Sequence, residues 1–211
     1  MNGIGPRTDL IALVPDADIE HGLLGVVSRV SSLHVRPFSC HVQRHPERDP
    51  GCLLRADESL RMFTLRYAHA LVLFDREGCG RSDETREALE QEVENRLSQT
   101  GWKGRCAVIV IDPELDAWVW SDSPNVDRIL GWDPATGVDL RAWLREQGLL
   151  GLQQDKPQRP KEALEAALRK VRRGRSPALY RRLAEKVSLD RCADAAFLKL
   201  KTTLQSWFAE S

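Results

Sequence analysis

Acidic side chains follow three of the predicted strands in this sequence, at the point where each strand ends. They are Asp16, Asp18 and Glu20 after the first strand, Asp75 and Glu77 after the third, and Asp112, Glu114 and Asp116 after the fourth. Carboxylates that converge repel one another and call for a cation, and hard oxygen ligands suit Mg²⁺ or Mn²⁺. Such an ion polarises a phosphate group and activates water. The pattern therefore predicts a divalent-metal site, provided that the strands are adjacent.

Helix capping is the alternative explanation for some of these residues. An Asp just after a strand often caps the next helix by accepting hydrogen bonds from its first N–H groups. Asp16 and Asp112 both stand at such positions. The sequence leaves capping and metal binding open for both residues.

Zinc chemistry and the common phosphate-loop motifs are not expected. His41 and His45 are four residues apart, with Cys40 and Cys52 nearby. Their segment is predicted to run from a strand into a loop, where that spacing does not bring two rings to one face. The sequence contains neither GxxxxGK[ST] nor GxGxxG, and no GxSxG nucleophile turn.

The elements that must position the carboxylates alternate between strand and helix. Apolar runs at residues 9–14, 70–74 and 107–111 are predicted strands, and partial alternation with β-branched residues predicts a further strand at residues 33–42. Segments of helical periodicity separate most of these strands. Strands joined through helices form a mainly parallel sheet with helices on both faces. Ligands bind outside the carboxyl ends of the strands in such a sheet. The predicted fold class is therefore α/β, with its acidic residues at one edge of the sheet.

Only helices are predicted after residue 122. They cover approximately residues 125–130, 140–147, 160–172, 178–186 and 193–208, and the polar stretch 153–160 is the best candidate for a linker. We therefore divide the chain into an α/β core, residues 1–122, and a helical region, residues 123–211, that is packed on the core or linked to it.

The two ends of the sequence carry opposite charge. Residues 155–211 contain 14 Lys and Arg against 7 Asp and Glu, a balance of +7, so residues 1–154 of this neutral chain carry −7. Opposite charge either helps the helical region to dock or gives the two parts different partners.

The sequence also predicts a cytoplasmic protein without a membrane segment. No apolar run approaches the roughly 20 residues that span a bilayer, and the first residues lack the apolar segment of a signal peptide. The five cysteines are widely spread and form no CxxC pair, which favours a reducing compartment.

A cluster of basic residues in the helical region is a candidate nucleic-acid contact. It comprises Lys161, Arg169, Lys170, Arg172, Arg173 and Arg175. Such a cluster can bind phosphate groups. It can equally be the solvated end of a helix, where basic side chains are favoured, and the lack of interleaved aromatic residues between 169 and 175 slightly favours this second interpretation.

Three segments of the sequence resemble known groups of proteins. The stretch from Asp75 to Glu77, following an earlier strand with an acidic end, resembles the Toprim fold of topoisomerases, primases and related nucleases. Residues 109–122 look like the Pro-Glu-x-Glu-Ala-Trp region of a Toprim-related bacterial family, domain of unknown function 4276, here as Pro113, Glu114, Asp116, Ala117 and Trp118. The tail, with Tyr180 and Phe197, is similar to the helical C-terminus of that family.

The resemblance implies phosphodiester cleavage that depends on Mg²⁺ or Mn²⁺, in a bacterial defence system beside an ATPase partner. It implies that Asp75 and Glu77 hold the metal ion. The Glu-Gly motif that follows the first strand in the family is absent here, and Asp16 stands nearest to it, with Glu20 close to a second acidic position.

Two functions are therefore expected from different classes. The first is a nuclease-like enzyme in which Asp16 and Glu20 are catalytic, Asp16, Asp75 and Glu77 bind the ion, and Asp112, Glu114 and Asp116 support them. The second is a catalytically inactive, Toprim-like interaction subunit of a multi-protein defence complex. The altered first motif and the oppositely charged parts of the chain motivate the second.

Overall fold

The computed structural model describes residues 8–121, 123–132 and 137–210. Four strands, β1 (Thr8–Val14), β2 (Cys40–Arg44), β3 (Tyr67–Asp75) and β4 (Cys106–Ile111), form one sheet in the order β2-β1-β3-β4. All three pairings are parallel, with Leu13 opposite Val72 and Asp75 opposite Ile111. The predicted α/β class with a parallel sheet is therefore confirmed.

Helices connect the strands and make up most of the chain after β4. The first group is α1 (Ala17–Val27), α2 (Val30–Leu33), α3 (Arg48–Arg61), α4 (Arg86–Leu97) and α5 (Asp116–Val119), with a short π-helical turn at Ser98–Trp102. The second group is α6 (Asn125–Leu130), α7 (Leu140–Glu146), α8 (Pro160–Lys170), α9 (Pro177–Lys186) and α10 (Ala195–Trp207). In the described residues no helix has both the length and the apolar character needed to cross a bilayer.

The region around β2 differs from the prediction. The predicted strand 33–42 is largely absent, because Leu33 ends α2, His34 takes a left-handed conformation with φ of 55°, and Pro37 has no N–H to donate. The next helix follows β2 closely, since α3 begins at Arg48 and ends at Arg61. Pro50 is compatible with this start because the first N–H groups of a helix have no partner within it.

Side chains alternate between the two faces of the sheet, and each face has its own core. One core contains Ile11, Val72 and Val110 and is covered by α3 and α4. The other contains Leu10, Leu71 and Ile109 and continues without interruption into buried residues of α1 and of the helical region. The helical region therefore shares a core with the sheet.

The outer edge of β4 is closed by side chains. Glu94 accepts a hydrogen bond from the Val108 N–H at 2.9 Å, and Glu90 accepts one from the Val110 N–H at 3.0 Å. Lys199 of α10 donates to both glutamates, at 2.8 Å and 3.0 Å respectively. These contacts satisfy edge N–H groups that would otherwise be open to another strand.

Candidate functional site

Asp16 lies directly beyond the carboxyl end of β1 and caps α1. Its Oδ1 accepts hydrogen bonds from the N–H groups of Asp18 at 2.9 Å and Ile19 at 3.0 Å. The capping explanation is therefore confirmed for this residue. Asp16 also lines an open cleft of about 800 Å³ that reaches the end of β2.

Asp49 and Asp75 are joined at the ends of β2 and β3. Asp49, in the first turn of α3, accepts a hydrogen bond from the Asp75 N–H at 2.8 Å, and the Asp75 carboxylate accepts one from the Leu115 N–H at 2.9 Å. Gly78 permits this arrangement, because a Cβ atom on it would lie 2.8 Å from Asp49 Oδ2. The turn after β3 thus holds the Asp49 carboxylate against the backbone of Asp75.

Asp116 is the most deeply buried of the acidic residues beyond β4, with only 1% of it exposed. Tyr180 donates a hydrogen bond to its Oδ1 at 2.7 Å. Arg175 Nη2 lies 3.3 Å from Asp116 Oδ2 and 3.2 Å from Asp18 Oδ2, and its guanidinium stacks over the Tyr180 ring. Asp116 Oδ2 accepts no hydrogen bond among the described residues.

What we call the acidic cluster has one residue at or beyond the carboxyl end of each strand: Asp16, Asp49, Asp75 and Asp116. Burial raises the pKa of Asp75 well above its usual range, and the negative charges of Asp49, Asp116 and Asp16 raise it further. Burial also raises the pKa of Asp49, against the lowering effect of the Asp75 N–H, and that of Asp116, against the Tyr180 hydrogen bond. The carboxyl group of Asp75 is therefore coupled electrostatically to the other three.

The acidic cluster offers a set of carboxylate oxygens of the kind that Mg²⁺ and Mn²⁺ prefer. The donor set, and the Asp116 oxygen without a hydrogen bond, are compatible with such an ion. Within the described residues, however, no three or more His, Cys, Asp or Glu side chains are already arranged to hold a metal ion. Binding would therefore require these side chains to change rotamer.

The other predicted acidic residues lie in separate interactions. Glu20 pairs with Arg44 at 3.3 Å, and Asp112 pairs with Arg76 at 2.9 Å. Glu77 is exposed, and its charge helps to raise the pKa of Glu114, although burial is the largest cause. Glu114 accepts a hydrogen bond from the backbone N–H of Lys161 at 3.2 Å.

The predicted basic cluster is divided by the structure. Arg169, Lys170 and Arg172 are exposed around the end of α8, whereas Lys161 lies near Glu114, with 3.9 Å between Nζ and Oε2. Arg173 donates to the Ile129 carbonyl at 3.2 Å. Arg175 belongs to the surroundings of the acidic cluster, as described above.

The sequence did not predict three parts of this site: Asp49, Tyr180 and the position of Arg175. Asp49 follows β2 just as the predicted acids follow the other strands, so the same rule applied to the second strand would have found it. The approach of Arg175 and Tyr180 to Asp116 depends on how α9 packs against α1, for which the sequence carries no local signal.

The raised pKa of Asp75 predicts a pH-dependent effect of the Asp75→Asn substitution on stability. The folded protein holds a proton on Asp75 that the unfolded chain releases near the ordinary value of 3.8, so this group stabilises the fold at low pH and that stabilisation is lost as the pH rises through the folded pKa. We expect Asp75→Asn to gain stability relative to the wild type as the pH rises. Urea unfolding of both proteins in EDTA, at a series of pH values from below 3.8 upward, measures the difference in their free energies of unfolding. A difference that does not change with pH would contradict the prediction.

Comparisons with family models, curated proteins and solved structures gave no match to this chain.

Proposed function

We propose that this protein cleaves phosphodiester bonds with the help of Mg²⁺ or Mn²⁺ bound at the acidic cluster. The observation that carries the proposal is that the carboxylates of Asp49, Asp116 and Asp16, each beyond another strand, all raise the pKa of Asp75 at the end of β3. Like charges in a partly dry site are costly, and a divalent cation would relieve that cost.

In this proposal Asp75, Asp49 and Asp16 hold the ion, and Asp116 supports it. The bound ion would polarise a phosphate and lower the pKa of a water molecule. Gly78 would keep Asp49 close to Asp75, and the Leu115 N–H would orient the Asp75 carboxylate. The charges of Asp116 and Glu77 help to raise the pKa of Glu114, while Glu20 and Arg44 line the open cleft beside Asp16.

Asp49→Asn is the variant that tests the acidic cluster as the structure has it. Asn keeps an oxygen that can accept from the Asp75 N–H but removes the charge, so we expect Mn²⁺ affinity to fall about 10- to 100-fold. Calorimetric titration of the EDTA-treated protein with Mn²⁺ measures the affinity, and cleavage of single- and double-stranded DNA and RNA measures activity.

Asp83→Asn is the matched control, because Asp83 is an exposed aspartate on the loop before α4. It should bind Mn²⁺ and act like the wild type. If Asp49→Asn also behaves like the wild type, Asp49 is not a ligand, and if the wild type neither binds Mn²⁺ nor cleaves, the enzymatic proposal fails.

The second candidate function is a catalytically inactive, Toprim-like interaction subunit of a multi-protein defence complex. It is favoured by one observation: each member of the acidic cluster already has an internal partner. Asp16 caps α1, Asp49 and Asp75 accept from backbone N–H groups, and Asp116 is bound by Tyr180 and Arg175. These contacts would suffice if the carboxylates only stabilise the fold.

An ATPase or another defence-system subunit is the partner proposed for either function, in the cytoplasm of a bacterium. Affinity purification of the tagged wild type and of Asp75→Asn from the native host separates the two. An interaction subunit should retain the same partner in both forms without any Mn²⁺-dependent cleavage, whereas recovery of the chain alone would argue against it.

A further inference from the structure

A second concave site lies in the helical region, which we call the basic cleft. It has a volume of about 730 Å³, and the charged residues that line it are Arg141, Arg145, Asp155, Lys156 and Arg191. Four of these are basic and one is acidic, so the described lining carries a balance of +3. The residues come from α7, from the segment before α8 and from the loop before α10.

One arginine fixes the walls of the basic cleft to each other. Arg141 donates to the backbone carbonyls of Asp155, at 2.5 Å, and Ser121, at 3.0 Å. It thus links α7 to the segment that precedes α8 and to the chain that leaves α5. Two segments that line the basic cleft are therefore joined to α7 by internal hydrogen bonds.

Two buried polar atoms of the lining have no hydrogen-bond partner among the described residues. They are the hydroxyl of Ser121, a residue that is 4% exposed, and Nε of Arg145. Buried polar groups are nearly always hydrogen-bonded in folded proteins, so such atoms need a partner. In addition, Arg145, Lys156 and Arg191 form no ion pair within the described part of the chain.

We propose that the basic cleft binds a terminal phosphate monoester, such as the 5′-phosphate of a nucleic-acid strand or of a nucleotide. Phosphate oxygens accept hydrogen bonds from the planar guanidinium fork and from a hydroxyl, and their charge balances unpaired cations. A concave site suits a terminal group, whereas the phosphates within a strand are bound along a continuous groove. This inference stands apart from the proposed metal chemistry, because it uses different residues.

Binding of a fluorescent single-stranded oligonucleotide, with either a 5′-phosphate or a 5′-hydroxyl, tests the basic cleft. The measurement is made in EDTA, so its result is independent of metal binding. We expect the wild type to bind the phosphorylated strand at least about tenfold more tightly, which corresponds to one charge-assisted hydrogen bond. Arg145→Met, Arg191→Met and Ser121→Ala should each reduce this preference.

Arg61→Met is the matched control, because Arg61 is exposed on α3, which covers the opposite face of the sheet, and its loss changes the net charge equally. It should leave the preference unchanged. Competition experiments identify the source of the phosphate. If a nucleoside 5′-monophosphate displaces the labelled strand as well as an unlabelled 5′-phosphorylated strand does, the ligand is a free nucleotide. If it competes more weakly, the ligand is the end of a strand. Equal binding of both oligonucleotides by the wild type, or equal effects of Arg145→Met and Arg61→Met, would overturn the proposal.

Discussion

Asp75→Asn should abolish measurable Mn²⁺ binding and reduce cleavage by more than about 100-fold, because even partners that only support a metal ligand contribute 10- to 100-fold. Asp75 is the member of the acidic cluster whose pKa responds to all three others. Asn cannot lose a proton to become a carboxylate, so the variant cannot supply the charged ligand that the ion would need at this position. Calorimetric titration and a cleavage assay at fixed Mn²⁺ measure the two effects.

The Asp75→Asn substitution tests metal binding and cleavage without removing the hydrogen bond that Asp75 accepts in the fold. Asn retains an oxygen that can accept the hydrogen bond from the Leu115 N–H, and it lacks the charge that is costly to bury. The variant should therefore be at least as stable as the wild type at neutral pH. Full Mn²⁺ binding by a folded Asp75→Asn protein would refute the metal site proposed here.

Glu90→Ala should destabilise the fold by about 3–5 kcal/mol, the range for removing one partner from a buried charged network. Glu90 is 3% exposed and binds Arg86 at 2.8 Å and Lys199 at 3.0 Å, in addition to the Val110 N–H. Its loss leaves two cations less compensated and an edge N–H without a partner. Because domains are stable by only about 5–15 kcal/mol, the urea midpoint should fall markedly.

Glu87→Ala provides the control on the same helix. Glu87 also pairs with Arg86, at 2.6 Å, but its side chain is 68% exposed. Exposed ion pairs contribute about 0–1 kcal/mol, so this variant should unfold close to the wild type. If the two variants lose equal stability, the closed edge of β4 does not depend on Glu90.

The alternation of apolar runs and helical segments was enough to predict the sheet, because β1, β3 and β4 are buried on both faces and are therefore continuously apolar. The second strand was misplaced because it lacks this burial on both faces. It is an edge strand whose residues are all at least partly exposed, so its sequence lacks the apolar run. The helices of the second half were located from their periodicity to within a few residues.

The candidate site was predicted only where its residues follow a recognisable strand. Asp16, Asp75 and Asp116 meet that condition, and the charges of Asp16 and Asp116 both contribute to the raised pKa of Asp75. Asp49 was missed because Pro46, Pro50 and Gly51 make its segment look like a loop. Glu77 was expected to bind the ion but is exposed, since its side chain lies beyond the turn that holds Asp75.

The continuous core between the sheet and the helical region limits how this protein can change in evolution. Leu10, Leu71 and Ile109 are covered from that side, in part by residues that follow position 122. Suppose that a gene fusion replaced the residues after position 122. One apolar face of the sheet would then be exposed to water, unless the new segment covered it with apolar side chains of its own. The two halves, despite their opposite charge, are therefore expected to be inherited together.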